Sequence, residues 1–418
     1  MPYARTRRPV MVGQRANQAY QRKHKPDYLI ILFAILLMSV GIILIYSISP
    51  GLAVTRNVSE SFYVTKQMLA IGIGLLTFAM AAVVPLKVIM KYHKFLLAFA
   101  LLMTIIALVQ PVTETYQAHR WVRLGGLSVQ SVEVAKLALV ISLPLFLVER
   151  VRAGTINNYQ KTLKPLLILL AAVGVVIAGL QSDLGSAFVL LVMGAAIALV
   201  AGINLRYLLV LAAIAGVGIL LAISTSQYRR ERFFSFLNPG QNCQSTSYQA
   251  CQALVTVGSG GMFGQGIARG AQAYGYLPEA ANDSIFAIHA EKFGFIGSTV
   301  LVLIFGALFT RIKIVLERAP DMFSRLIVVG VLAWISTQAL INIGAMIGVL
   351  PLKGITLPLV SYGGTSMMFI LAALGLVFNI SHYTTYAVNE ELNKEIHEDT
   401  TSRGRNGRSH HAVARRRS

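Results

Sequence analysis

The chain has 418 residues, of which 55% are hydrophobic and only 13% are charged. Ordinary soluble domains carry about 25% charged residues, so this composition excludes a soluble protein and indicates one that lies in lipid. The net charge of +20 raises the question of nucleic acid. Most of the Lys and Arg residues, however, fall in the two tails and in short loops on one side of the predicted membrane, so we expect no nucleic-acid partner.

Apolar runs long enough to cross a bilayer recur along the chain. They predict an all-α polytopic membrane protein of about ten transmembrane helices. The predicted crossings are Tyr28–Ile48, Gln67–Val84, Phe95–Val109, Val134–Val148, Leu163–Leu180, Gly185–Val200, Tyr207–Ser224, Phe293–Thr310, Leu326–Val349 and Thr365–Ile380.

The predicted organisation is one membrane domain, residues 28–380, between a basic N-terminal tail (1–27) and a charged C-terminal tail (381–418). The one long outer loop, at about 225–292, joins helices seven and eight. The bias of Lys and Arg places both tails in the cytoplasm and this loop on the outer face of the cytoplasmic membrane. We expect no cleavable signal peptide, because no small-residue cleavage site follows the basic start.

Both cysteines, Cys243 and Cys251, fall in the predicted outer loop. An oxidising exterior would permit a disulfide between them, which would close a short loop. Two unpaired thiols are equally compatible with the sequence. We expect a catalytic role in neither case.

Charged residues at the start of the fourth crossing and between the fifth and sixth interrupt the apolar pattern. Glu133 and Lys136 are three apart, so they share a helix face and are able to pair. The pair would either pin the helix or orient groups in a polar cavity. Asp183 lies in a very short turn, where it would cap the sixth helix, line a cavity, or do both.

The outer loop carries further candidates. Arg229 and Arg232 lie on the face that otherwise lacks positive charge, where guanidinium groups suit either a phosphate ligand or lipid headgroups. Asp283 directly precedes an apolar stretch. A carboxylate held beside apolar walls tends toward a raised pKa, which suits a general base. The alternative is that Asp283 only caps the following helix.

Gln338 and Asn342 in the ninth helix are four apart and so face the same way, toward a groove or toward a neighbouring helix. The following segment, Leu350–Ser366, contains Ser361 and breaks the helical pattern with two prolines and three glycines. Irregular backbone at membrane depth requires surrounding protein or a water-filled cavity. We therefore expect this segment to line a groove.

Four segments together resemble the signatures of the SEDS family (shape, elongation, division and sporulation proteins), and the resemblance runs from the first helix to the tenth. These segments are Tyr228–Pro239, Tyr248–Gly264, Leu277–Gly297 and Asn342–Ser366. Within the family, the sequence is more similar to the cell-division member than to the rod-elongation member. Where the family usually reads Gln-Pro-Ser-Glu, this chain has Gln130-Ser131-Val132-Glu133.

The resemblance implies a ten-helix enzyme that polymerises lipid II into glycan strands on the outer face, by an inverting transfer for septal wall synthesis. Asp283 would be the general base, with Glu133, Lys136 and Asp183 supporting the cavity. Candidates for binding substrate or pyrophosphate are Arg120, Arg123, Arg229, Arg232, Lys353, Gln338, Asn342 and Ser361.

The resemblance also implies partners: lipid II, a class B penicillin-binding protein, other division proteins and membrane lipids. Assistance by a divalent cation, Mg²⁺ or Mn²⁺, stays open, because no clear cluster of metal ligands marks a site in the sequence. Two other functions also stay open. A lipid II flippase would need a polar path that continues to the cytoplasmic side, and a noncatalytic division scaffold would tolerate loss of the outer carboxylate.

Overall fold

The computed structural model describes residues 22–23, 25–111, 119–124, 127–225, 227–240, 243–245, 247–267, 270 and 276–384. Most of both predicted tails, at 1–21, 24 and 385–418, lies outside these residues. Within them the chain is mainly helical, with only short strands. The helices are α1 (Tyr28–Arg56), α2 (Phe62–Val83), α3 (Leu86–Val109), α4 (Ser131–Arg152), α5 (Tyr159–Leu180), α6 (Leu184–Val200), α7 (Leu205–Ser224), α8 (Gln227–Leu237), α9 (Tyr248–Ser259), α10 (Ile285–Glu317), α11 (Met322–Met346) and α12 (Gly364–Ser381).

Eight of the described helices are long and apolar enough to cross a membrane, and α6 and α7 are shorter apolar helices. The prediction of an all-α polytopic membrane protein is therefore confirmed. Most helices extend beyond the predicted apolar runs, since the backbone of residues with polar side chains continues the helical hydrogen bonds at their ends. α5 is π-helical at both ends, Tyr159–Leu163 and Gly174–Leu180, around an α-helical centre.

The bundle has a buried centre and a lipid-facing rim. In the most apolar stretch of α12, 83% of the residues are buried, whereas in that of α3 only 17% are buried. α12 is therefore central and α3 peripheral. α12 packs along α2, and α11 packs along α6. The α2–α12 contact is close because Gly375 has no side chain: a Cβ there would lie only 2.5 Å from the Phe78 carbonyl oxygen. Small residues that let backbones approach are typical of helix packing in membranes.

The predicted outer loop contains helical segments: α8, α9 and the first turns of α10. α10 begins at Ile285, eight residues before the predicted crossing, and bends at Gly294, whose φ is +65°. The glycine turn after α9 packs into this bend, where the Phe295 amide donates to the Gly261 carbonyl at 2.8 Å. Because α10 bends there, its first two turns form a separate short segment beside α9.

Cys243 and Cys251 form a disulfide, which joins the turn after α8 to the first turn of α9. The Ser247 hydroxyl also donates to the buried Ser235 hydroxyl at 3.0 Å, a second link between the two helices. Of the two alternatives left by the sequence, the structure has the bridge.

Two short antiparallel strand pairs complete the described fold. Strand β1 (Arg22–Lys23) pairs antiparallel with β4 (Tyr383–Thr384), so the chain enters and leaves the bundle at the same end. Strands β2 (Trp121–Leu124) and β3 (Leu127–Gln130) pair antiparallel and lead directly into α4.

Candidate functional site: a carboxylate among cations at one end of the bundle

Asp283 lies in a tight turn that immediately precedes α10. The turn is closed by the Ser284 amide, which donates to the Glu279 carbonyl at 3.2 Å, and by the Ser284 hydroxyl, which donates to the Pro278 carbonyl at 3.0 Å. Ser284 occupies the N-cap position of α10 without a side-chain cap hydrogen bond. No residue in the described part of the chain donates a hydrogen bond to the Asp283 carboxylate, so its helix-capping alternative has no support in the geometry.

Side chains from α11 and from the irregular segment 347–363 hold this turn from behind. The side-chain amide of Asn342 donates to the backbone carbonyls of Asp283 (2.7 Å) and Ile355 (2.6 Å). The Ser361 hydroxyl donates to the Asn282 carbonyl at 2.6 Å and accepts from the Leu357 amide at 2.7 Å. The segment therefore lines the site, and its hydrogen bonds fix the backbone on both sides of the carboxylate.

The surroundings of Asp283 raise the pKa of its carboxyl to about 7. Burial is the main cause, because removal of water disfavours the charged form. The carboxylates of Glu279 and Asp183 raise the pKa further, whereas the guanidinium groups of Arg120 and Arg232 lower it. A partly buried carboxyl with this pKa is able to take up and release a proton near neutral pH.

The cations near this carboxyl come from separate segments of the chain. Arg229 and Arg232 are on α8, and Arg229 donates to the Ala178 carbonyl at 2.9 Å. Lys353 follows α11. Its pKa is lowered by burial and by the charges of Arg232 and Arg229, so these three groups lie close enough to repel one another. An anion bound among them would relieve that repulsion and favour the charged lysine.

Gly354, next to Lys353, packs close to the Asp283 carboxylate. A Cβ built on Gly354 would lie 3.3 Å from Asp283 Oδ2 and 4.0 Å from a terminal guanidinium nitrogen of Arg120. The φ of Gly354 is +64°, a left-handed conformation that side chains with a Cβ rarely adopt. The backbone conformation therefore favours glycine here, and an added Cβ would crowd the Asp283 carboxylate.

Asp183 both caps α6 and faces the site, so its two interpretations are compatible. Its carboxylate accepts from the Ser186 amide at 3.0 Å and from the Ser186 hydroxyl at 2.9 Å. The same carboxylate accepts from the side-chain amide of Gln130 at 3.3 Å and lies 3.8 Å from the Arg120 guanidinium. Arg120 thus stands between two carboxylates, those of Asp183 and Asp283.

Glu133 and Lys136 form the predicted pair, with 2.7 Å between Lys136 Nζ and Glu133 Oε1. Both side chains are almost fully buried, at 3% and 1% exposure. Lys136 also donates to Gln338 Oε1 at 3.2 Å, and the Trp334 indole donates to the same oxygen at 2.9 Å. The Gln338 amide nitrogen donates to the Thr356 carbonyl at 3.1 Å, which connects this pair to the irregular segment.

Arg123 is not brought to the cluster around Asp283. Its guanidinium contacts the Gln110 side chain and the Pro111 carbonyl. The reason is the alternation of side chains along a strand: Arg120 and Arg123 are an odd number of residues apart and so point to opposite faces of the hairpin.

Several residues of the site were not identified from the sequence. Glu279 influences the pKa of Asp283, and Thr356 accepts hydrogen bonds from Gln338. Ser131 and Gln181, both buried, are hydrogen-bonded to each other at 2.9 Å. The departure of Gln130-Ser131 from the family signature was the one available signal for Ser131.

The donor set does not fit a dedicated metal site. Among the described residues, no three His, Cys, Asp or Glu side chains come together as metal ligands. Asp283 and Asp183 are near one another, but Arg120 lies between them.

The fold and the site define a polytopic membrane protein in which a carboxyl with a raised pKa lies near cationic groups at one end of the helix bundle. Residues 27–386 match the family described as "Cell cycle protein", whose profile is named for FtsW, RodA and SpoVE. The chain therefore belongs to this family, the SEDS family.

Individual relatives agree with this assignment. Stage V sporulation protein E of Bacillus subtilis is 33% identical over 367 residues, which cover 87% of this chain and 99% of the relative. Probable peptidoglycan glycosyltransferase FtsW of Saccharophagus degradans is 35% identical over 367 residues, covering 87% and 92%. A chain from a structure of a peptidoglycan synthase complex, described for its coordination of polymerization and crosslinking, has a TM-score of 0.70 at 25% identity, covering 85% of this chain and 97% of that chain.

Proposed function

We propose that this protein is a peptidoglycan glycosyltransferase that polymerises lipid II on the outer face of the cytoplasmic membrane, for septal wall synthesis. The similarity to proteins named probable peptidoglycan glycosyltransferase FtsW supports the reaction class. The observation that carries the proposal is the position of Asp283, a carboxyl with a pKa of about 7 among cationic groups from three separate segments.

In the proposed reaction Asp283 is the general base. Its carboxylate takes the proton from the 4-hydroxyl of the acceptor sugar as that oxygen attacks the anomeric carbon of the donor. The bond between the anomeric carbon and the diphosphate oxygen breaks, and the configuration inverts. Proton transfer to a positioned base contributes about a hundred- to ten-thousand-fold in rate.

The departing diphosphate gains negative charge, which preorganised cations stabilise. Arg120, Arg229, Arg232 and Lys353 take this role in the proposal. Arg120 and Arg232 act on the Asp283 carboxyl, and Lys353 is repelled by Arg232 and Arg229, a repulsion that a bound anion would relieve.

The buried candidates have a different proposed role. The side chains of Gln338, Asn342 and Ser361 are only 1 to 3% exposed and already hold backbone carbonyls. We assign them to positioning of the Asp283 turn and of the segment that carries Lys353.

The proposed orientation follows from charge and connectivity. Both chain ends leave the bundle at the end opposite Asp283, where the basic tails would face the cytoplasm. The likeness to a chain of a peptidoglycan synthase complex supports a crosslinking partner, for which we propose a class B penicillin-binding protein. Lipid II, membrane lipids and other division proteins complete the proposed interactions.

The proposal is tested with full-length protein in vesicles that contain lipid II, assayed for glycan polymer with and without the transpeptidase. Asp283→Asn keeps the size of the side chain but removes the base. We expect the rate of polymerisation to fall by about a hundred- to ten-thousand-fold. Wild-type rates from this variant would remove Asp283 from the role of base.

The matched control is Asp321→Asn. Asp321 caps α11 at the other end of the bundle, and asparagine caps a helix equally well, so polymerisation should persist. The same vesicles separate the alternatives. Transfer of labelled lipid across the bilayer without polymer would indicate a flippase, and a protein that does neither would be a scaffold.

A further inference from the structure

The end of the β2–β3 hairpin is tied to the start of α4 by Ser131. Trp121 and Gln130 form the last paired position of the hairpin. The Ser131 amide then donates to the Arg120 carbonyl at 3.1 Å, which adds one further hydrogen bond beyond the ladder. The Ser131 hydroxyl lies 3.4 Å from the same carbonyl oxygen. Arg120 is thus held where the hairpin meets the helix.

The short turn before α6 is fastened to the same place. The side-chain amide of Gln181 donates to the Ser131 hydroxyl at 2.9 Å, and both residues are 0% exposed. Beside this contact, the Gln130 side-chain amide donates to Asp183, which also pairs with Arg120. Three contacts therefore join the hairpin end to this turn, and Arg120 takes part in one of them directly.

The position of Arg120 matters because of what lies on its other side. A Cβ built on Gly354 would lie 4.0 Å from a terminal guanidinium nitrogen of Arg120 and 3.3 Å from Asp283 Oδ2, so the two charged groups approach the same place. The Arg120 side chain is 28% exposed, so its neighbours rather than complete burial hold it in position. Coulomb interaction falls with distance, and a drift of Arg120 toward solvent would weaken its influence on Asp283.

We propose that Ser131 and Gln181 are positioning residues that hold Arg120 between the Asp183 and Asp283 carboxylates. This inference rests on the proposed transferase function, in which Asp283 is the base. The contacts are not available to a chain with proline at position 131, as in the signature Gln-Pro-Ser-Glu, because proline has neither an amide hydrogen nor a hydroxyl. The device is therefore a feature of this sequence.

The alternative is a purely structural role, in which Ser131 only stabilises the start of α4. The two roles differ in their effect on pH dependence. The charged groups that face Asp283 are Glu279 and Asp183, which raise its pKa, and Arg120 and Arg232, which lower it. If Arg120 moves away, the acid limb of the polymerisation profile shifts to higher pH. A role confined to helix stability leaves the midpoint unchanged.

The test uses full-length Ser131→Ala, Ser131→Pro and Gln181→Leu proteins. Alanine removes the hydroxyl, and proline removes the hydroxyl and the amide hydrogen, so we expect the upward shift to be larger for Ser131→Pro. A shift of under one pH unit corresponds to at most about a tenfold loss of rate on the acid side. Ser142→Ala on the same helix is the control, because no described residue hydrogen-bonds its hydroxyl.

A second readout does not depend on polymerisation. Phenylglyoxal modifies arginine side chains, and mass spectrometry measures its rate at each site. We expect Arg120 to react faster in all three variants than in the wild type, with Arg123 of the same hairpin unchanged.

The outcomes separate the two proposals. Faster labelling of Arg120 without polymer formation by any protein, the wild type included, would support the positioning role and refute the proposed function. Unchanged labelling and an unchanged pH midpoint overturn the positioning role, whether or not the variants lose thermal stability.

Discussion

Two regions of this protein contain acidic and basic side chains, and they differ in how the charges are balanced. Glu133 and Lys136 are buried in the bundle and neutralise each other at 2.7 Å, with Gln338 as a third partner. Asp283 has no such direct partner in the described structure. Cations and carboxylates surround it instead, and the pKa of its carboxyl is raised to about 7.

The difference indicates separate tasks. A buried ion pair with good geometry is costly to break and holds its helices in one arrangement. A carboxyl with a pKa near neutrality, placed at the end of the bundle, can exchange a proton during a reaction. We therefore expect substitutions in the first region to affect folding most, and those in the second to affect rate and pH dependence.

The largest effect on stability is expected for Lys136→Met. This change leaves the Glu133 carboxylate buried without its partner, which costs about 3–5 kcal/mol. The measurement is unfolding of the detergent-solubilised protein. Lys313→Met is the control: Lys313 is 66% exposed and pairs with Glu317 on the surface, so the loss should be under about 1 kcal/mol. Equal losses from the two substitutions would contradict the account of the buried pair.

A smaller effect, divided between stability and rate, is expected for Gly354→Ala. A left-handed backbone costs a residue with a Cβ about 1–2 kcal/mol, and the added methyl group would press on the Asp283 carboxylate. Gly154→Ala is matched to it, with φ of +65° and open space around the Cβ position. Both variants should lose similar stability. Only Gly354→Ala should also slow polymerisation, by about tenfold or more.

If the two glycine variants lost the same fraction of activity, Gly354 would matter only for its backbone conformation. The close contact between this glycine and Asp283 would then have no functional meaning.

The smallest effect is expected for Glu279→Gln. The carboxylate of Glu279 raises the pKa of Asp283, so its removal should move the acid limb of the rate profile to lower pH. The rate at pH 6 should rise by less than about tenfold, which corresponds to one full pKa unit. Glu317→Gln at the other end of the bundle should leave the profile unchanged. A shift of the Glu279→Gln profile to higher pH would contradict the assigned charge interaction.

The features predictable from the sequence are those with a local pattern. Long apolar runs specify membrane helices whatever their neighbours, and the i, i+3 spacing of Glu133 and Lys136 is sufficient to predict a pair. Cys243 and Cys251 were close enough in sequence to bridge, but a free pair fitted the same spacing.

The features that escaped prediction depend on tertiary contacts. α10 begins at Ile285 although His289, Glu291 and Lys292 interrupt its apolar pattern. These polar side chains are buried: His289 packs against Phe286 and Phe293, the glycine turn after α9 packs against Glu291 and Lys292, and Lys292 donates to the Ile267 carbonyl at 2.7 Å. Similarly, no local signal connects Arg120 to Asp283, which lies far along the chain.

The central claim is that the Asp283 carboxylate acts as base, and the pH dependence of kcat/KM for lipid II polymerisation tests it most directly. The base works only when deprotonated, and its pKa is raised. Activity should therefore approach its full value above about pH 8 and fall as the pH drops through a midpoint of about 7. A rate that stays constant from about pH 5 to 8, in protein that remains folded throughout, would contradict the account.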